Sequence, residues 1–147
     1  MRRTCEGGGC GVGAPTGAER RAANIEDLVV LKGEAVHSPN ECDDDRPKRA
    51  DCLIFVAKND TVTVLIVELK GKTFSGRAVE QKLRQSCADA LAVAHEADLV
   101  INVIPAVLAE AWPTAERRHL ANQSIGGHNV LTKRCGEPLL RLLRCSS

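Results

Sequence analysis

Residues 51–70, DCLIFVAKNDTVTVLIVELK, decide how this chain is read. Two runs rich in large apolar and β-branched side chains, Asp51–Ala57 and Thr61–Leu69, flank Lys58-Asn59-Asp60. Runs of that length around an Asn-Asp pair predict a β-hairpin. A two-residue loop at Asn59-Asp60 and a four-residue loop from Lys58 to Thr61 give the same register, with Asp51 opposite Glu68. Directly opposed side chains share a face, with Cβ atoms about 5 Å apart. Lys70, two residues beyond Glu68, points to that face too. The remainder of the face is apolar: Leu53, Phe55, Val64 and Ile66.

Opposed carboxylates repel, and charge beside an apolar face is costly, so something must neutralise Asp51 and Glu68. A divalent cation is one candidate, because two carboxylates, a backbone carbonyl and waters make ordinary Mg²⁺ ligation. The other reading is a hairpin end at the surface, where Asp51, Glu68 and Lys70 form a solvated salt bridge.

Outward from the hairpin the period changes. After Lys70-Gly71-Lys72, residues Val79, Leu83, Cys87, Ala90, Leu91 and Ala94 fall on one helical stripe. The helix is capped by Thr73 or Ser75 and ends near Ala97. Leu99–Leu108 reads as a strand, with Pro105 marking an edge or an end. Upstream, Leu28–Leu31 is a short strand, Lys32-Gly33 a turn, and Glu34–His37 a returning segment before the charged stretch Ser38–Arg49. Downstream come one or two helical turns in Pro113–Asn122, a turn at Gly126-Gly127, a strand over His128–Arg134 and a closing helix or strand over Glu137–Arg144. The order β, β, β, α, β predicts an α/β domain: a mixed central β-sheet with a hairpin leading into a flanking helix. Residues 1–18 are Gly-rich and read as a flexible arm, leaving 19–147 as a single domain. Gly9–Ala14 fits G-x-G-x-x-A, but no strand precedes it, so a dinucleotide site is not expected.

Composition narrows the function classes. Lys plus Arg number 20 and Asp plus Glu 19, a net charge of +1, so the whole molecule is no electrostatic magnet for nucleic acid or anionic membrane. Three aromatic residues, Phe55, Phe74 and Trp112, are too few for the stacking platforms of single-strand binders. No run is long and apolar enough for a membrane span or a secretory signal, so the expectation is a soluble, cytoplasmic protein without a membrane partner. Seven cysteines with no C-x2-C pair read as reduced thiols in preference to a zinc site, with Cys52 and Cys87 as small buried hydrophobes. His37, His95, His119 and His128 have no partner motif, and neither G-x-S-x-G nor a Walker sequence occurs.

Asp51, a strand-turn-strand, and then Glu68-Leu69-Lys70 at the end of an apolar strand resemble the PD-(D/E)xK nuclease superfamily, whose fold is restriction-endonuclease-like. Gly71-Lys72 and a helix carrying Ala78-Val79-Glu80-Gln81 are similar to its continuation, and the resemblance spans about Leu28 to Leu108. It implies metal-dependent hydrolysis of phosphodiester bonds in nucleic acid, DNA before RNA. Asp51, Glu68 and the Leu69 carbonyl would hold Mg²⁺ or Mn²⁺, and Lys70 would orient or deprotonate the attacking water. Gln81 would add a polar contact, although the tyrosine that follows it in some members is absent and Gln85 stands there. Apart from the resemblance, Arg117-Arg118-His119 and Lys133-Arg134 are short basic clusters of a kind that mostly form solvated faces; with Lys72, Arg77, Lys82 and Arg84 they would flank a phosphate track, Lys72 and Arg77 meeting the substrate. An upstream acid often completes such sites, and Glu26 and Glu34 are both candidates. Ala50 stands where Pro is common. A homodimer would place two sites across a duplex. The alternative within the same fold is a catalytically inactive binding or assembly module, which the balanced charge and scarce aromatics favour.

Overall fold

The computed structural model describes residues 3–35 and 48–145. In chain order these form β1 (Arg3–Gly7), β2 (Cys10–Gly13), α1 (Gly17–Ala22), β3 (Ile25–Lys32) and a 3-10 turn (Gly33–Ala35). Then follow β4 (Cys52–Lys58), β5 (Thr61–Lys70), α2 (Gly76–Glu96), β6 (Ile101–Ala109) and α3 (Thr114–Ala121). The chain closes with β7 (Ser124–Ile125), β8 (His128–Asn129), β9 (Leu131–Arg134) and α4 (Leu139–Arg144).

A five-stranded sheet runs β3-β4-β5-β6-β9. Its first three strands are antiparallel, and β5-β6 and β6-β9 are parallel, so this is an α/β fold with a mixed central sheet. The crossover from β5 to its parallel neighbour β6 needs a long connection, and α2 provides it. Asn59 and Asp60 have φ of 50° and 64°, the left-handed values of a two-residue hairpin turn. Lys58 pairs with Thr61 and Cys52 with Val67, as the loop predicts.

Alternation along the strands makes two cores. On one face Leu53, Val64, Ile66, Val103 and Val107 meet Val79, Leu83, Cys87 and Ala90 of α2 and Leu120 of α3. On the other, Cys52, Ile54, Val56, Leu65, Val67 and Leu69 meet Val12 of β2 and Leu139 and Leu142 of α4. Ser75 caps α2, its hydroxyl accepting from the Ala78 N–H at 3.3 Å.

Several expectations need correction. The stretch read as a flexible arm contains β1 and β2, with Cys5, Cys10 and Val12 buried on the sheet. Four cysteines are not thiols: Cys5–Cys52 and Cys10–Cys135 are disulfides, and Cys52 is thus buried as half of a cross-link. Among the described residues Cys87, buried, and Cys145, exposed, are free thiols, and Cys42 falls outside them. Leu91 is 48% exposed, because one helical step beyond Ala90 turns it off the sheet-facing stripe. Pro105 lies inside β6, where it faces Ile66 of β5 and precedes the segment paired with β9, which begins at Ala106. Gly33–Ala35 is a 3-10 turn, and the rest of the expected return, with His37, falls outside the described residues. Among the described residues no helix is long and apolar enough to cross a membrane.

Candidate active site

The site begins with a glycine. A Cβ on Gly33 would lie 1.7 Å from the Ala50 carbonyl oxygen, so only glycine lets the end of β3 pass this close to the segment entering β4. The Gly33 N–H donates to the Asp51 carbonyl at 2.8 Å. From the other side α2 grips the same segment with three polar residues spaced along one flank. Asp89 pairs with the Arg49 guanidinium, whose side chain is only 4% exposed, the Ser86 hydroxyl accepts from the Ala50 N–H at 2.8 Å, and Lys82 reaches into the carboxylate site. Arg49, Ala50 and Asp51 are therefore fixed residue by residue.

Asp51 and Glu68 interlock. The Asp51 N–H donates to Glu68 Oε1 at 3.1 Å, and the Leu69 N–H donates to Asp51 Oδ2 at 2.7 Å. Since the N–H and C=O of one strand residue point to the same side, the Leu69 carbonyl also faces the side of β5 that β4 has ceased to cover. Glu68 Oε2 receives two ammonium groups, Lys82 Nζ at 2.9 Å and Lys70 Nζ at 3.2 Å. Glu68 is fully buried, while each lysine side chain keeps about a quarter of its surface in solvent. Burial and then the neighbouring Asp51 charge push the Glu68 carboxyl up, against the pull of Lys82. Burial also opposes the Lys82 charge, but hydrogen bonding and attraction to Glu68 outweigh it and raise that ammonium above its ordinary value. The two directions agree physically: the acid is the more deeply buried partner and carries the desolvation cost, and the base gains the ion pair.

Asp51, Glu68, Leu69 and Lys70 are thus brought together at one end of the sheet. Gln81 is not with them: it is exposed, one helical step from Lys82 and off the face that meets the carboxylates. Lys72 and Arg77 are exposed on the connection and first turn that follow β5. Glu34 lines the cleft beside Asp51, whereas Glu26 sits at the other end of β3, near where Ile25 pairs with Lys58. The cleft, of about 790 Å³ among the described residues, is walled by Thr4 and Glu6 of β1, Lys32, Lys48, Arg49 and Lys82. Arg84 is committed elsewhere, to Glu80 and Gln123, and His119 pairs with Glu80 at 2.8 Å.

Lys82 as a partner of Glu68, and Ser86 and Asp89 as clamps, are the residues that sequence reasoning missed. Their signal is the polar i, i+4, i+7 flank beside the apolar stripe of α2. For a divalent ion, the chemistry of the donors fits: two adjoining carboxylates and a backbone carbonyl are hard oxygen ligands. Among the described residues no group of three His, Cys, Asp or Glu side chains stands together as a ready cage. The remaining positions would belong to water and substrate, the usual arrangement for Mg²⁺. Comparison with family models, with curated proteins and with solved structures gives no match.

Proposed function

We propose that this chain is a divalent-metal-dependent nuclease of the PD-(D/E)xK type, with a restriction-endonuclease-like fold and nucleic acid, DNA first, as substrate. One observation carries the reading: Asp51 and Glu68 interlock at the end of a hairpin that feeds a parallel crossover, with Lys70 on Glu68. An arbitrary surface salt bridge does not account for it, because Glu68 is fully buried. A buried carboxylate facing a second carboxylate is retained at a cost in stability, and such perturbed groups cluster where chemistry is done.

When bound, Mg²⁺ or Mn²⁺ supplies Lewis-acid polarisation of a phosphodiester and a more acidic water. Asp51, Glu68 and the Leu69 carbonyl hold the ion in this reading. Lys70 orients the attacking water and offsets charge building on the phosphate. Recognition runs through the backbone of the nucleic acid, with Lys32 and Lys48 of the cleft and Lys72 and Arg77 beyond it as phosphate contacts. Cutting both strands of a duplex would call for a second copy.

The binding-module reading draws on a different observation. Both Glu68 oxygens already have protein partners, and two lysines balance two carboxylates without any ion. Incubating the protein with plasmid, linear and single-stranded DNA and with RNA, in Mg²⁺, Mn²⁺ or EDTA, separates the two. Cleavage that needs the metal and is lost in Asp51→Ala, Glu68→Ala and Lys70→Ala supports the nuclease. Wild-type protein that binds no divalent ion and cuts nothing leaves the module.

A further inference from the structure

Glu68 has two oxygens, and they meet two hydrogen-bond donors and, at 3.2 Å, the Lys70 ammonium. Oε1 is held by the backbone N–H of Asp51, a contact built into the register of the hairpin. Oε2 is shared by Lys70 and Lys82. Asp51 likewise has Oδ2 committed to the Leu69 N–H. A carboxylate oxygen has two lone pairs, so Oε1 keeps one open, and it is an ion ligated through Oε2 that must compete with the ammonium groups. Charge leads to the same point. The two carboxylates and two lysines sum to zero, so a divalent ion added to the intact cluster would leave an excess of two positive charges at a buried carboxylate.

We propose that Lys82 is an exchangeable counter-ion, which a divalent cation displaces from Glu68 Oε2 and which then turns into the cleft. This rests on the metal-binding part of the nuclease reading. Exposure does not choose between the lysines, since their side chains are 24% and 25% exposed. Position does. Lys82 lines the cleft, so among the described residues it has open space beside Asp51 and Lys48 to enter, and Lys70 does not line that cleft. Lys70 is rooted in β5 two residues from Glu68, where the Lys70 carbonyl is tied to the Glu110 N–H. Lys82 hangs from α2, and its release leaves the helix in place because Ser86 and Asp89 keep hold of Ala50 and Arg49. The released ammonium stands where a phosphate would arrive, so one group serves as internal cation without metal and as phosphate contact with it.

The test is calorimetric titration of Mn²⁺, without nucleic acid, into wild type, Lys82→Met, Lys70→Met and Glu68→Gln. Losing a competing charge-assisted hydrogen bond should tighten Mn²⁺ binding about tenfold in Lys82→Met. Lys70→Met should tighten it less, and Glu68→Gln should abolish it. Equal affinity in wild type and Lys82→Met, or equal tightening in both lysine variants, overturns the assignment to Lys82 and leaves the metal reading standing. No Mn²⁺ binding in any protein ends both. Tightening in Lys82→Met by a protein that cuts nothing upholds the exchange and refutes the nuclease. Lys82→Gln replaces Lys82→Met if the latter does not fold. Independently, ¹⁵N-lysine NMR of wild type should show one protected ammonium signal lost on adding Mg²⁺. A signal that persists at saturating Mg²⁺ overturns the exchange.

Discussion

A single added methyl at Gly33 tests the foundation of the site. Alanine there drives a Cβ into the Ala50 carbonyl, and backbone atoms cannot swing aside as a side-chain tip does. Gly33→Ala should cost about 1–3 kcal/mol by overpacking, read as a lower chemical-denaturation midpoint, and should weaken Mn²⁺ binding because Asp51 moves with Ala50. The lysines set the sign of a second substitution. Two bare opposed carboxylates would gain from losing one, but here Glu68 is the shared anion of Lys70 and Lys82. Glu68→Ala leaves two ammonium groups facing each other and should destabilise the metal-free protein by about 1–3 kcal/mol in urea unfolding. Lys70→Ala keeps both carboxylates, so divalent ions should still bind while any cleavage collapses. The pairing of Asp51 with Glu68 and Lys70 was legible in the sequence because Asn59-Asp60 admits one register. Lys82 was not, because a hydrophobic stripe phases a helix against a sheet without saying what its polar flank will touch.

On α2 the same limit separates Leu83 from Leu91. The sequence pattern assigns both to one apolar stripe, yet Leu83 is fully buried and Leu91 is 48% exposed. Leu83→Ala should cost about 2–5 kcal/mol, and Leu91→Ala should stay within about 0.5 kcal/mol in the same unfolding assay. The link between α2 and α3 should respond to acid. The Glu80 carboxyl is held below its ordinary value of 4.5, first by the Arg84 hydrogen bond and also by His119. A depressed folded value means that its contribution is present above pH 4.5 and fades as pH falls through the lower value. Thermal melts of Glu80→Gln should therefore lose less Tm than wild type over that acid interval. Pro105 shows the other side of element reading. A proline inside a sheet marks a place where one neighbour is missing, and that place proved to be the approach to the β6–β9 pairing, not the end of β6.

At the scale of the molecule, the hairpin β1-β2 is the largest departure from what the sequence foretold. Glycines at 7–9, 11 and 13 read as an arm, and what they make is a tight turn, with φ of 56° and 85° at Gly8 and Gly9, between two short strands. Cysteine connectivity was illegible for a simpler reason: partners 47 and 125 residues apart meet only once the sheet has formed. Removing each disulfide with reductant should cost about 2–4 kcal/mol, read as a fall in Tm. Peptide mapping without reductant should recover Cys5 with Cys52 and Cys10 with Cys135.

The second of those bonds makes the protein a covalent ring. From Cys10 to Cys135 the backbone is a closed loop. One cut anywhere inside the loop opens the ring without dividing the molecule. A nicked protein would run as one band on a denaturing gel and fall into two pieces only when thiol is added.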